Sequence, residues 1–204
     1  MSYSLTKKDT AIVDYLAEKE IERILSNIDS QDWPNRTDRV LFRVWLDLGC
    51  RVGELDFPWT DVDWDRRLVQ VRDHKKKGVI RYCTISDKSW QLLRDYRDSV
   101  DCRVQKFVFP LSAKTIDRRL KYWCSTAKVE RKRYKVKARW RGGVHGHMMR
   151  KTYVVRCARL KIPISDVIQQ TGDSRKTIDE IYSMRSIEER QESQNELWGR
   201  AGSK

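Results

Sequence analysis

Leu68-Val69-Gln70-Val71-Arg72-Asp73-His74-Lys75-Lys76-Lys77-Gly78-Val79-Ile80-Arg81-Tyr82-Cys83-Thr84-Ile85 reads as two β-rich runs, 68–71 and 79–85, around a polar turn that ends in glycine. That is the pattern of an antiparallel hairpin. Helical periodicity surrounds it. Upstream, Leu16, Ile21, Ile24, Leu25 and Ile28 mark an amphipathic helix, and Val40, Leu41, Val44, Trp45 and Leu48 mark a second that stops at Gly49. Downstream, Ser86 caps a helix to about residue 100, Phe107-Val108-Phe109-Pro110 reads as a short strand, and Ser112 opens a helix with Ile116, Leu120 and Trp123 on one face. A basic loop follows. Further helices fit 146–160, 164–170, 174–183 and 187–198, the last opened by the capping box Ser186-Ile187-Glu188-Glu189. The predicted class is α+β, mainly α-helical with a small antiparallel β-sheet. No repeat, low-complexity linker or Pro/Gly-rich boundary divides residues 1–204, so a single domain is expected, with 1–15 as an N-terminal extension.

Composition narrows the function. The chain has 204 residues, 43 Lys and Arg against 29 Asp and Glu, and a formal net charge of +14. Eight Trp, eight Tyr and four Phe supply core anchors, which excludes a disordered polycation. No apolar run is long enough to span a membrane and residues 1–15 lack a secretory stretch, so a soluble, cytoplasmic protein with no membrane partner is expected. The five cysteines form no CxxC pair and have no histidine at zinc-ligand spacing, so neither a disulfide nor a metal scaffold is expected.

The charge is concentrated. Residues 121–160 hold 13 basic groups and one acidic, and 71–120 hold 13 and six, while the ends are near neutral. Within this stretch Arg131, Lys132, Arg133, Lys135, Lys137, Arg139 and Arg141 fall inside eleven residues. Such a cluster repels itself until a polyanion or solvent neutralises it, and a nucleic-acid backbone is the commonest polyanion. A solvated loop or a localisation tract is the plainer alternative.

Four segments carry potential chemistry: Gly49-Cys50-Arg51-Val52-Gly53-Glu54-Leu55; the lysine hairpin; His147-Met148-Met149-Arg150-Lys151-Thr152; and Thr171-Gly172-Asp173, followed nine residues later by Tyr182. In this order and spacing the chain resembles the catalytic domain of the tyrosine recombinases, the phage-integrase family. Each piece alone is common by chance; the ordered set is specific. Phosphodiester transfer to a side chain needs cations on the non-bridging oxygens, a nucleophile, and an acid for the leaving oxygen. Arg51 and Arg150 are expected to clamp the phosphate, since a guanidinium fork grips two oxygens at once. The resemblance aligns Lys76 with the family's hairpin lysine, the acid for the leaving 5′ oxygen, with Lys75 and Lys77 as adjacent rivals and DNA contacts. His147 shares a helix face with Arg150 and can donate to the phosphate or take the tyrosine proton; His145 is the alternative. Glu54 is expected to orient the site. Tyr182 is the expected nucleophile, although a phenol with a pKa of about 10 needs a base or a positive field to attack at neutral pH.

The resemblance implies the tyrosine recombinase catalytic-domain fold, a 3′-phosphotyrosyl intermediate, double-stranded DNA as substrate, no metal or nucleotide cofactor, and a homotetramer on DNA. It also implies a virus- or plasmid-borne origin. The family's usual N-terminal DNA-clamping domain finds no counterpart, and residues 184–204 are expected to dock on a neighbouring protomer. One position departs from the pattern. Asp173 stands where the family has His or Trp, so its carboxylate is expected to point away, to be replaced by Arg175 or Lys176, or to slow turnover. Two other readings compete. Residues 164–183 also fit a helix-turn-helix regulator, and a type IB topoisomerase shares the Arg-Lys-Arg-His-Tyr chemistry.

Overall fold

The computed structural model describes residues 15–30, 36–74, 78–131, 133–136 and 139–182. Lys75, Lys76, Lys77, Lys132, Lys137, the helix expected at 187–198 and the docking segment 184–204 lie outside the described residues.

Helix α1 (Glu18–Asp29) buries Ile21, Ile24 and Ile28, one stripe at helical spacing. Its first turn is closed by the Glu20 carboxylate, which accepts from the Ala17 amide at 2.9 Å. Helix α2 (Arg36–Leu48) is the central element: Val44, Trp45 and Leu48 are almost wholly enclosed. It ends at Gly49, whose φ of +56° suits glycine, and where a Cβ would lie 2.5 Å from Cδ1 of Tyr153. The chain then turns through two short 3-10 segments, Val52–Leu55 and Trp59–Asp61, into the sheet.

The sheet has three antiparallel strands, β1 (Val62–Asp63), β2 (Leu68–Arg72) and β3 (Ile80–Thr84), in the order β1-β2-β3. Val69 faces Cys83 and Val71 faces Arg81, which fixes the hairpin register. The alternation on β3 is inverted from what its residue types suggest. Ile80 and Tyr82 are exposed, while Arg81 and Cys83 point inward. Helices α3 (Asp87–Asp98) and α4 (Ala113–Thr126) follow, with Ser86 and Ser112 as side-chain N-caps.

The run 107–109 makes one isolated bridge, Pro58 to Phe107, rather than a strand. Proline offers no amide there, and Pro110 closes the run. Residues 133–136 and 139–142, expected as loop, instead pair as the antiparallel strands β4 (Arg133–Val136) and β5 (Arg139–Gly142). The signal was present as period-two apolar positions, Tyr134, Val136 and Trp140, within the basic run. Helices α5 (His147–Arg159), α6 (Ile164–Thr171) and α7 (Arg175–Tyr182) complete the described chain.

Two buried clusters form among the described residues. The larger joins α1 to α4, the sheet and the start of α5; the smaller groups Tyr15, Val154, Val155, Cys157, Val167, Ile178 and Ile181. No helix among the described residues is long and apolar enough to cross a membrane.

Candidate active site

Four chain segments meet between the two clusters. The end of α2 supplies Arg51, which opens the 3-10 turn: its amide donates to Glu54 Oε2 at 2.9 Å and its Nη1 to Glu54 Oε1 at 2.9 Å. Glu54 is buried, so its charge requires partners. A second one comes from β3, where Arg81 Nη2 donates to Glu54 Oε2 at 2.8 Å. Asp73, also buried, lies 3.7 Å from both Arg51 Nη1 and Arg81 Nη1. The inverted alternation of β3 is thereby explained: a buried arginine is tolerated because two buried carboxylates face it.

Helix α5 contributes Arg150, which is wholly enclosed. Its guanidinium makes four close polar contacts. Nε donates to Asp173 Oδ2 at 2.7 Å, Nη2 to the Thr171 carbonyl at 2.6 Å, and Nη1 to the Gly49 carbonyl at 3.1 Å. Nη2 also stands 2.6 Å from Asp173 Oδ1. The same Oδ1 accepts from Arg51 Nη2 at 3.1 Å. Asp173 therefore bridges the two arginines expected to clamp a phosphate.

Helix α6 is what aims Asp173. The Gln170 side chain completes the edge of β3: its Oε1 accepts from the Thr84 amide at 3.0 Å and its Nε2 donates to the Thr84 carbonyl at 2.7 Å. Just beyond, Gly172 adopts φ +73° against Arg81; a Cβ there would meet Arg81 Cδ at 2.9 Å. This close approach turns the chain so that Asp173 enters the site.

Electrostatics follow from these contacts. Burial by itself would raise the Asp173 carboxyl, but the hydrogen bond and charge of Arg150, with Arg51 and His147 adding, hold it below the usual carboxylate range. His147 opens α5 one turn before Arg150, its ring stacked at 6.5 Å on that of His145. His147 stays exposed to solvent, yet partial burial, and then the charges of Lys151, Arg150 and His145, lower its pKa. It is thus largely neutral at pH 7, able to accept a proton. Burial pushes the Cys50 thiol well up and the Cys83 thiol to about 11, so neither thiol beside the arginines competes as a nucleophile.

Tyr182 ends α7, its ring packed against the smaller cluster and its hydroxyl oxygen buried. The structure thus unites Arg51, Arg150 and Asp173, with His147 at their edge, and seats Tyr182 in the adjoining cluster.

The chain matches the phage integrase family over residues 14–188. It belongs to that family, the tyrosine recombinases. Solved structures similar in fold include XerA recombinase, with a TM-score of 0.72 and 22% identity over 90% of this chain and 64% of that one. The pre-cleavage complex of XerH site-specific recombinase with its difH substrate gives 0.67 and 16%, over 91% and 53%. A lambda integrase dimer bound to a COC′ core site gives 0.60 and 17%, over 85% and 60%. The chain spans between about half and two thirds of the length of these structures. None of the curated proteins matches it. The fold is the tyrosine recombinase catalytic-domain fold, mainly helical with a small antiparallel sheet.

Against the family's His or Trp, Asp173 does not point away; it turns inward onto both arginines. Arg131, expected among the DNA-contacting cations, makes a paired contact with Glu20 at 2.5 and 2.8 Å and donates to the Tyr15 carbonyl at 2.6 Å. Its guanidinium ties α1 to the chain after α4, which leaves little of it for a phosphate. The sequence reading missed Arg81, Asp73 and Gln170. A charged residue at an inward strand position was the available signal for the first.

Proposed function

We propose that this chain breaks and rejoins double-stranded DNA through a covalent 3′-phosphotyrosyl intermediate, as a site-specific recombinase. The observation carrying this is the convergence of Arg51 and Arg150 on one anion, the carboxylate of Asp173, in a family member that keeps a tyrosine nine residues further on.

The two guanidiniums hold the non-bridging oxygens of the scissile phosphate and stabilise the charge that builds there. Neutral His147 accepts a proton, and the Tyr182 oxygen attacks phosphorus. Lys76, with Lys75 and Lys77 beside it, protonates the departing 5′ oxygen. The P–O bond to that oxygen breaks as the bond to Tyr182 forms, and reversal by an incoming 5′-hydroxyl restores the DNA. The buried Tyr182 hydroxyl must be brought forward, so α7 shifts when DNA binds. Lys132, Arg133, Lys135, Lys137, Arg139 and Arg141 supply backbone affinity. Four protomers on two DNA duplexes form the exchanging assembly, as the family resemblance implies.

The helix-turn-helix reading is weaker, because the turn between α6 and α7 holds Gly172 against Arg81 and Asp173 against the arginines. A nicked suicide substrate incubated with wild type and Tyr182→Phe tests the proposal. A protein–DNA adduct on a denaturing gel, absent in the mutant, is expected. DNA binding with no adduct from either protein would favour the regulator. Relaxation of supercoiled plasmid without strand exchange would favour the topoisomerase.

A further inference from the structure

We propose that Asp173 is a built-in anion that closes the Arg51–Arg150 clamp when no DNA is bound, so that an incoming phosphate must displace its carboxylate. This rests on the reading of the two arginines as a phosphate clamp.

Three observations carry it. Arg150 is wholly enclosed, and the pair of parallel donors that would face a phosphate, Nε and Nη2, both contact Asp173, at 2.7 and 2.6 Å. Carboxylate and phosphate present the same two-oxygen edge to a guanidinium, so both anions compete for one fork. Second, Asp173 Oδ1 is shared with Arg51 Nη2 at 3.1 Å, which places the carboxylate between the two cations rather than beside one. Third, the charges balance. Arg51, Arg81 and Arg150 face Glu54, Asp73 and Asp173, so the cluster is formally neutral while Asp173 is in place. A phosphodiester arriving at a neutral cluster gains little. With Asp173 turned out, the same cluster is formally +1 and matches the single negative charge of the diester.

The exit is short. Asp173 lies in the three-residue link Gly172-Asp173-Ser174 between α6 and α7, and Arg51 is the partly exposed member of the clamp. Gln170 holds α6 to β3, so the link can release the carboxylate by turning at Asp173 while α6 stays in place. Arg150 stays oriented by its bonds to the Gly49 and Thr171 carbonyls. The carboxylate thus keeps the guanidiniums aligned and shields them from stray anions until DNA contacts elsewhere have accumulated.

Inorganic phosphate is the probe. Titrated calorimetrically into wild type, Asp173→Asn and Asp173→His, it is expected to bind both variants about tenfold or more tightly than wild type. Adding Arg51→Ala to Asp173→Asn should abolish that gain. In wild type, the Arg150 Nε–H resonance should move as phosphate fills the site, a signature that a purely structural carboxylate does not give. Affinities in both variants equal to wild type would overturn the proposal, as would an unmoved resonance in phosphate-saturated wild type. Should the variants not fold, that resonance decides alone. If wild type forms a Tyr182 adduct while phosphate affinity ignores position 173, the anion proposal fails and the recombinase reading stands. A gain in phosphate affinity with no adduct from any DNA reverses that outcome.

Discussion

Around Arg51, Arg81 and Arg150, each guanidinium lies within ion-pair distance of at least one buried or nearly buried carboxylate, whereas residues 132–141 set six basic groups against no acidic one. The first region fixes geometry; the second generates field. Matched, buried charges contribute little net attraction at a distance, since each has its counter-ion nearby, but they hold side chains in one arrangement. Unmatched charges draw in a polyanion with little demand on orientation. On the proposed function, gripping DNA and reacting with it fall to different regions, and variants in the two should fail differently.

The sharpest break is at the nucleophile. Tyr182→Phe should lose all covalent adduct while keeping DNA affinity and melting temperature close to wild type, measured by denaturing gel, fluorescence anisotropy and calorimetry. Next is Arg150→Ala. It strands Asp173 and two carbonyls inside the protein, so a loss of about 3–5 kcal/mol in urea unfolding is expected. Arg150→Lys should recover part of the stability but not the adduct, because a point charge cannot replace the fork.

In the basic region the expectation inverts. Replacing Lys135, Lys137, Arg139 and Arg141 by alanine should leave the unfolding midpoint nearly unchanged. DNA affinity should fall, and the slope of log K against log salt should shrink by about 0.9 for each phosphate no longer neutralised. A large drop in stability with an unchanged salt slope would assign these residues to the fold instead.

Titration gives the smallest effects. The Asp173 carboxyl is held below its unfolded value, so its pairing favours the folded state above about pH 4 and is lost as pH falls through the lower folded value. The stability gap between wild type and Asp173→Asn should therefore narrow as unfolding is followed from neutral pH into acid. His147 is also depressed, which for an imidazole means the folded state resists protonation. Stability should decline as pH falls through the ordinary histidine value of about 6.5, and His147→Gln should flatten that decline.

The helices were legible because apolar spacing and caps are local: Ile21, Ile24 and Ile28 announce α1, and Ser86 and Ser112 announce α3 and α4. The β4–β5 pairing was hidden, since lysine and arginine at alternate positions mask a period-two pattern that Tyr134, Val136 and Trp140 still carry. Arg51, His147, Arg150 and Tyr182 were readable as candidates through the family resemblance that their order and spacing carry. The direction of Asp173 was not, because it depends on Gln170 completing β3 and on Gly172 passing close to Arg81, contacts more than 80 residues apart in sequence. Nor was Arg81 readable as part of the site. Its burial follows from the carboxylates of Glu54 and Asp73, which only the folded chain brings beside it.

The most direct test of the central claim is to map both ends of the cleaved strand. Peptide mass spectrometry of the purified adduct, with kinase labelling of the released DNA end, identifies the attached residue and the polarity together. The account predicts a single DNA-linked peptide joined through Tyr182 to a 3′ phosphate, and a partner end with a free 5′-hydroxyl that takes the label without phosphatase. Attachment through any other residue, or a 5′-phosphorylated partner end, would contradict it.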